Sequence, residues 1–210
     1  VFMDNWRKAT GKVLHGQAYF PALQRRGSQA AQMFSSSPTG GSESMHLMYL
    51  MAITAAQRSI QLSSAYFVPD ALTVSALIEA ARRGVRVQII TPGAHIDADV
   101  VRRASRARWG PLLQAGVEIA EYQPTMFHCK VLVVDGLLVS VGSTNFDNRS
   151  FRLNDEANLN VFDAGLAARL AGIFAQDLRR SHALSLQAWQ RRPWAEKLLE
   201  HTASLIGSQL

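Results

Sequence analysis

The residues whose types and spacing most suggest chemistry are His128 and Lys130. On a strand, successive side chains point to opposite faces. His128 and Lys130 would then project together, while Cys129, Val131 and Val133 point the other way into apolar packing. A lone strand histidine is usually a structural residue. A lysine two positions along is harder to dismiss, because an ammonium is costly to bury without an anionic partner. Side by side, the ammonium attracts an oxyanion and the imidazole can attack phosphorus or transfer a proton. The pair therefore points to a phosphate site.

Three nearby segments add to it. Gly142-Ser143-Thr144-Asn145 follows an apolar run that can pair back along the histidine strand. Ser143 and Asn145, two apart, would offer a hydroxyl and an amide to phosphoryl oxygens. Gly142 permits a close backbone approach. Asp135, in Asp135-Gly136, has the residue type and place of a hairpin turn, and spacing alone favours that reading for it. Glu156, in Asn154-Asp155-Glu156-Ala157-Asn158, reads either as a solvated loop acid or as the acceptor that fixes a histidine tautomer.

The elements that must position these residues read as follows. Residues 1–29 are polar and irregular, and 35–44 form a turn-rich loop. Ser42 or Ser44 is placed to cap a helix over 45–58. Ile60–Val68 reads as a strand, 71–83 as a helix ending at Gly84, and Val85–Thr91 as a second strand. Helical patterns over 97–108 and 111–115 precede a third strand, Val117–Tyr122. Met126–Val134 and Leu137–Gly142 form a hairpin, Ala157–Phe162 adds a strand, and 164–184 closes the domain as a helix. This order predicts an α/β fold, a mixed sheet flanked by helices on both faces.

Composition narrows the class. The chain is 48% hydrophobic and carries a formal charge of +6, with 18 arginines and only four lysines. That balance favours anionic partners. One cysteine rules out an intrachain disulfide framework. No apolar run reaches the length that spans a bilayer. The Val1 start suggests a chain cut from something longer.

Lesser candidates lie outside the pair. Arg102, Arg103, Arg106 and Arg108 crowd one helix, as an anionic-lipid or nucleic-acid contact or as a basic face paired with acids. His95 and Asp97 stand at a strand's C-terminal end, the usual ligand side of an α/β sheet. His46 reads as structural, and Trp109, Trp189 and Trp194 as core or interfacial anchors. Tyr66 and Phe67 read as buried strand aromatics or as the lining of an acyl pocket.

Taken together, His128, Lys130 and Asp135, then Gly142, Ser143 and Asn145, resemble the phospholipase D superfamily signature H-x-K-x4-D followed by G-S-x-N. Ser42-Glu43-Ser44, Ala65-Tyr66-Phe67-Val68-Pro69, Ile89 to Asp97, Tyr122-Gln123-Pro124 and Asn145 to Phe151 resemble the bacterial cardiolipin synthases within it. The opening Phe2, Asn5 and Trp6 look like the segment that closes the first half of such enzymes. The resemblance spans nearly the whole chain, as the C-terminal half of a two-motif protein. It divides the chain into 1–29 (the end of a preceding half), 30–184 (the catalytic half) and 185–210 (a tail).

The resemblance implies His128, Lys130 and Asp135 as catalytic residues, Ser143 and Asn145 on the phosphate, and Gly142 and Glu156 in support. It implies phosphatidyl transfer between phospholipids through a phosphohistidine, with no metal or other cofactor, on the cytoplasmic side of a bacterial inner membrane bound peripherally. By analogy His128 is the acid/base, though the residues leave the nucleophile role open to it. Of six histidines only His128 has a lysine at +2, so the second motif must come from a missing N-terminal half or from a second copy. Two other readings stay open: a homodimeric phosphodiesterase acting on nucleic acid, the less favoured partner, and a non-catalytic basic module.

Overall fold

The computed structural model describes residues 2–38 and 43–205. Eight strands form one sheet: β1 (Ala30–Ser36), β2 (Ser59–Ser64), β3 (Arg86–Pro92), β4 (Glu118–Tyr122), β5 (Lys130–Val134), β6 (Leu138–Gly142), β7 (Glu156–Phe162) and β8 (Ser181–Leu184). Their order is β1-β7-β6-β5-β2-β3-β4-β8. β2, β3 and β4 run parallel, and every other neighbour pair is antiparallel. The α-helices are α1 (Phe2–Thr10), α2 (Ser44–Ala55), α3 (Ala71–Arg82), α4 (Asp99–Ala107), α5 (Trp109–Gln114), α6 (Ala164–Arg179), α7 (Leu186–Gln190) and α8 (Trp194–Leu205), and a π-helical turn spans Arg149–Leu153.

Strand alternation sorts the core onto two faces. Ile60, Leu62, Val87, Ile89, Ile119, Leu132 and Val134 pack in one cluster with α2, α3 and α5 residues such as Ile53, Leu77 and Leu112. On the opposite face α6 covers Val133 and Val139 through Ala167, and Ile90 and Tyr122 through Phe174. The expected mixed sheet with helices on both faces is what the chain forms.

Several expected boundaries move. The helix expected over 164–184 ends at Arg179, and Ser181–Leu184 pairs with β4 as an edge strand. β1 lies where no element was expected, and α1 lies within the stretch read as irregular. Helix α2 is capped by Glu43, without a side-chain cap bond, and Ser44 is its first residue; Ser42 lies outside the described residues. The stretch read as a tail carries α7 and α8. It is tied down by Arg106, whose guanidinium bridges Glu121 and Glu200 at 2.9 Å each. Arg102 also pairs with Glu121, Arg103 with Asp99, and Arg108 donates to the Pro69 carbonyl. The arginine-rich helix is thus a paired face holding α8. Trp109 is buried and the Trp189 indole donates to the Arg106 carbonyl, whereas Trp194 is 78% exposed. Phe67 is core.

Candidate functional site

The candidate residues other than Asp135 gather at one end of the sheet, where β2 and β6 finish and β5 and β7 begin. Lys130 is the first residue of β5, paired with Ser64, the last of β2. His128 precedes the strand rather than lying on it, held in line by the Ala65 N–H donating to the Cys129 carbonyl at 2.9 Å. The pair still meets. Lys130 Nζ lies 3.1 Å from His128 Nδ1, 3.2 Å from Nε2 and 3.3 Å from the His128 carbonyl oxygen. His128 is exposed and Lys130 half-buried. Cys129 differs from expectation: it sits with Val131 and Val133 beside α6, yet is exposed, because β5 has not begun there.

Burial pushes the Lys130 ammonium below the ordinary lysine range, and Glu156, then Cys129, Asp97 and Asp147, oppose that shift. The ammonium therefore contacts His128 and sits in the field of carboxylates it does not bond, which favours its charged form against the burial.

Glu156 is a buried acid, not a loop one, at 5% exposure. It opens β7 and collects donors from three places: the Ser143 hydroxyl in a short bond, Ser150 Oγ at 2.9 Å and Asn154 Nδ2 at 3.1 Å. A buried carboxylate needs such partners. Ser143 is thereby fixed at the end of β6. Gly142 must be glycine for a packing reason: a Cβ there would lie 2.2 Å from the Ala157 carbonyl oxygen and from Asn158 Oδ1. Asn145 is buried beneath, its N–H donating to Ser150 Oγ at 3.2 Å, and its Oδ1 has no protein partner among the described residues.

Asp135 stands apart. It closes β5 at the opposite end from Lys130, five residues or about 17 Å along an extended strand. Its carboxylate accepts backbone N–H bonds from Gln57 (2.9 Å), Arg58 (2.8 Å) and Ser59 (2.9 Å), which pins the hairpin to the start of β2. The turn also has three residues between the paired Val134 and Leu138, not two, with Asp135 at φ 55°. The structure brings His128, Lys130, Ser143 and Glu156 to one end of the sheet and places Asp135 at the other.

Two residues near the pair were not singled out as chemical groups. Asp147 is 2% exposed, and burial pushes its carboxyl up to about 6 against the Ser150 N–H it accepts. Tyr66 stands edge-on to His128, with ring centroids 6.1 Å apart at 82°. Neither signal exists in local sequence, because each depends on chain segments far apart. His46 is structural: it is buried, stacked on Phe151 at 4.6 Å and 3.4 Å from Asp70.

The family profile described as "Cardiolipin synthase, PLD-like domain" matches residues 49–178, more than half of the chain. The chain belongs to the cardiolipin synthase, PLD-like domain family. A cardiolipin synthase from Alkalihalophilus pseudofirmus is 34% identical over 212 aligned residues, which take in 100% of this chain and 42% of the relative. One from Geobacillus sp. is 35% identical with the same coverage. The chain thus spans less than half the length of these relatives. Among solved structures, the phospholipase D family member Nuc from Salmonella typhimurium shares the fold at TM-score 0.65 and 22% identity, over 75% of this chain and 99% of that one. The phosphatidylserine synthase of Haemophilus influenzae shares it at TM-score 0.69 and 12% identity, over 90% and 49%. In this cardiolipin-synthase-like domain, the family's match takes in every candidate residue from Lys130 to Glu156, and His128 with them.

Proposed function

We propose that the chain is one catalytic half of a cardiolipin-synthase-like phosphatidyltransferase, with His128 a reacting histidine. The observation that carries this reading is the close approach of Lys130 Nζ to the exposed His128 ring at the open end of the sheet. The +6 charge suits a phospholipid phosphate and an anionic membrane surface. Among the described residues no helix is long and apolar enough to cross a membrane, and the reading takes the membrane contact as peripheral. The setting that fits is the cytoplasmic face of a bacterial inner membrane.

The reaction needs two histidines, and this half supplies one. In the first step a histidine nitrogen attacks phosphorus of the donor lipid, and the P–O bond to its head-group alcohol breaks. The other histidine gives that oxygen its proton. In the second step that histidine, now neutral, takes the proton from a glycerol hydroxyl of the acceptor lipid. The hydroxyl oxygen attacks phosphorus and the P–N bond breaks. His128 is assigned the acid/base role, with Lys130 on the phosphoryl oxygens and Ser143 reaching them when its hydroxyl turns from Glu156. Asp135 supports the strand from afar. The partner histidine comes from an N-terminal half.

The test is to incubate the longer protein that carries this chain with phosphatidylglycerol vesicles, with and without a chelator. Cardiolipin and free glycerol in both samples support the reading. Hydrolysis of nucleic acid by the isolated chain, with a dimeric mass in solution and no lipid product, supports the nuclease reading instead.

A further inference from the structure

The imidazole of His128 lies outside the sheet ladder, so backbone pairing does not fix its side chain. Among the described residues its ring meets Lys130 from β5 and Tyr66 from the segment after β2. Tyr66 is itself held at both ends. Its carbonyl accepts from Ser64 Oγ at 2.6 Å and from the Phe146 N–H at 3.1 Å. Its hydroxyl donates to Asp97, at 2.8 Å from each carboxylate oxygen. Asp97 lies in the turn that leaves β3 and enters α4, a different part of the sheet end. The tyrosine ring is thus braced between the β2 terminus and the β3–α4 connection, with its edge contact on the histidine.

We propose that Tyr66 and Asp97 are a positioning pair for His128: the Tyr66 ring sets the tilt of the imidazole, and Asp97 locks the ring. The inference rests on the reading of His128 as a reacting group. An edge-to-face contact fixes the angle between two rings. A misplacement of about 1 Å at a reacting group lowers a rate about 100-fold. A flexible lysine cannot supply that angle, because its ammonium approaches both ring nitrogens almost equally, at 3.1 and 3.2 Å. Tyr66, braced by Asp97, gives the imidazole a fixed wall. Its hydroxyl serves as a tether rather than as an acid, since burial first, and then the Asp97 carboxylate, raise it to about 12.

The test has two readouts. The first is the NMR signal of the His128 ring protons in the 210-residue chain. Tyr66→Leu removes the neighbouring aromatic ring and shifts these signals, and Tyr66→Phe largely keeps their position. The second is phosphatidyl transfer by the two-half enzyme. Tyr66→Leu lowers kcat about 100-fold while KM stays within about 2-fold. Tyr66→Phe and Asp97→Ala each lower kcat about 5-fold, and the double variant is no worse than either single one, because both cut the same link. A His128 signal unmoved by Tyr66→Leu overturns the proposal. So do fully multiplied losses in the double variant, which leaves the fold intact by keeping the ring. If His128→Ala keeps its activity, the transferase reading fails, while the NMR result still decides the contact.

Discussion

The ammonium of Lys130 sits 3.1 Å from Nδ1 of His128, across two residues that straddle the start of a strand. The strand fixes the lysine and leaves the histidine exposed to a substrate. Burial lowers the affinity of Lys130 for its proton, and the field of Glu156, then of Cys129, Asp97 and Asp147, offsets only part of that. An anion bound beside Lys130 would favour the charged ammonium further.

Lys130→Met keeps much of the volume and removes the charge. The expected result is a loss of about 100-fold or more in kcat/KM for transfer, read by steady-state kinetics on vesicles. The melting temperature should change little, since the ammonium makes no ion pair with a carboxylate in the described residues. A loss of only a few-fold would mean that the phosphate is neutralised elsewhere.

Asp135 should behave as an anchor. Burial alone would raise its carboxyl, but the N–H groups of Ser59, Gln57 and Arg58 outweigh that and hold it below the usual range. A depressed carboxylate contributes stability above its unfolded value, near pH 4, and the contribution fades as pH falls through the folded value. Asp135→Ala should cost about 2 kcal/mol at pH 7 in chemical denaturation, and less in strong acid. Its effect on transfer should follow the lost stability alone.

Asp147 carries the opposite sign. Its folded carboxyl titrates at about 6, raised chiefly by burial. The protonated form is favoured in the fold, so this stabilising effect is complete below about pH 4 and is lost as pH rises through about 6. Asp147→Asn keeps an acceptor for the Ser150 N–H and removes the charge. The variant should match the parent at pH 4 and exceed it at pH 8 by up to about 3 kcal/mol. Denaturant midpoints at the two values check this.

Much of the frame was legible in the residues. The β-branched runs gave β2 to β6 in order, and Asp135-Gly136 marked the hairpin. What escaped had a physical cause in each case. β1 is an exposed edge strand whose pattern carries no alternation, and pairing with β7 and the packing of Phe34 on the core order it. β8 is four residues long and continues directly from α6. α8 is held by Glu200 meeting Arg106, 94 residues away. At the site, the two-residue spacing of His128 and Lys130 was readable, even though His128 proved to sit before the strand. The burial of Glu156 was not, because it takes Ser143 and Ser150 from separate turns to satisfy it.

The central claim is that His128 reacts at phosphorus or carries the proton that lets phosphorus react. The most direct measurement is cardiolipin formation from phosphatidylglycerol vesicles by the two-half enzyme bearing His128→Ala, beside the unaltered protein. A loss of at least about 1,000-fold is expected, with the fold intact by circular dichroism. A rate within a few-fold of the unaltered protein would contradict it.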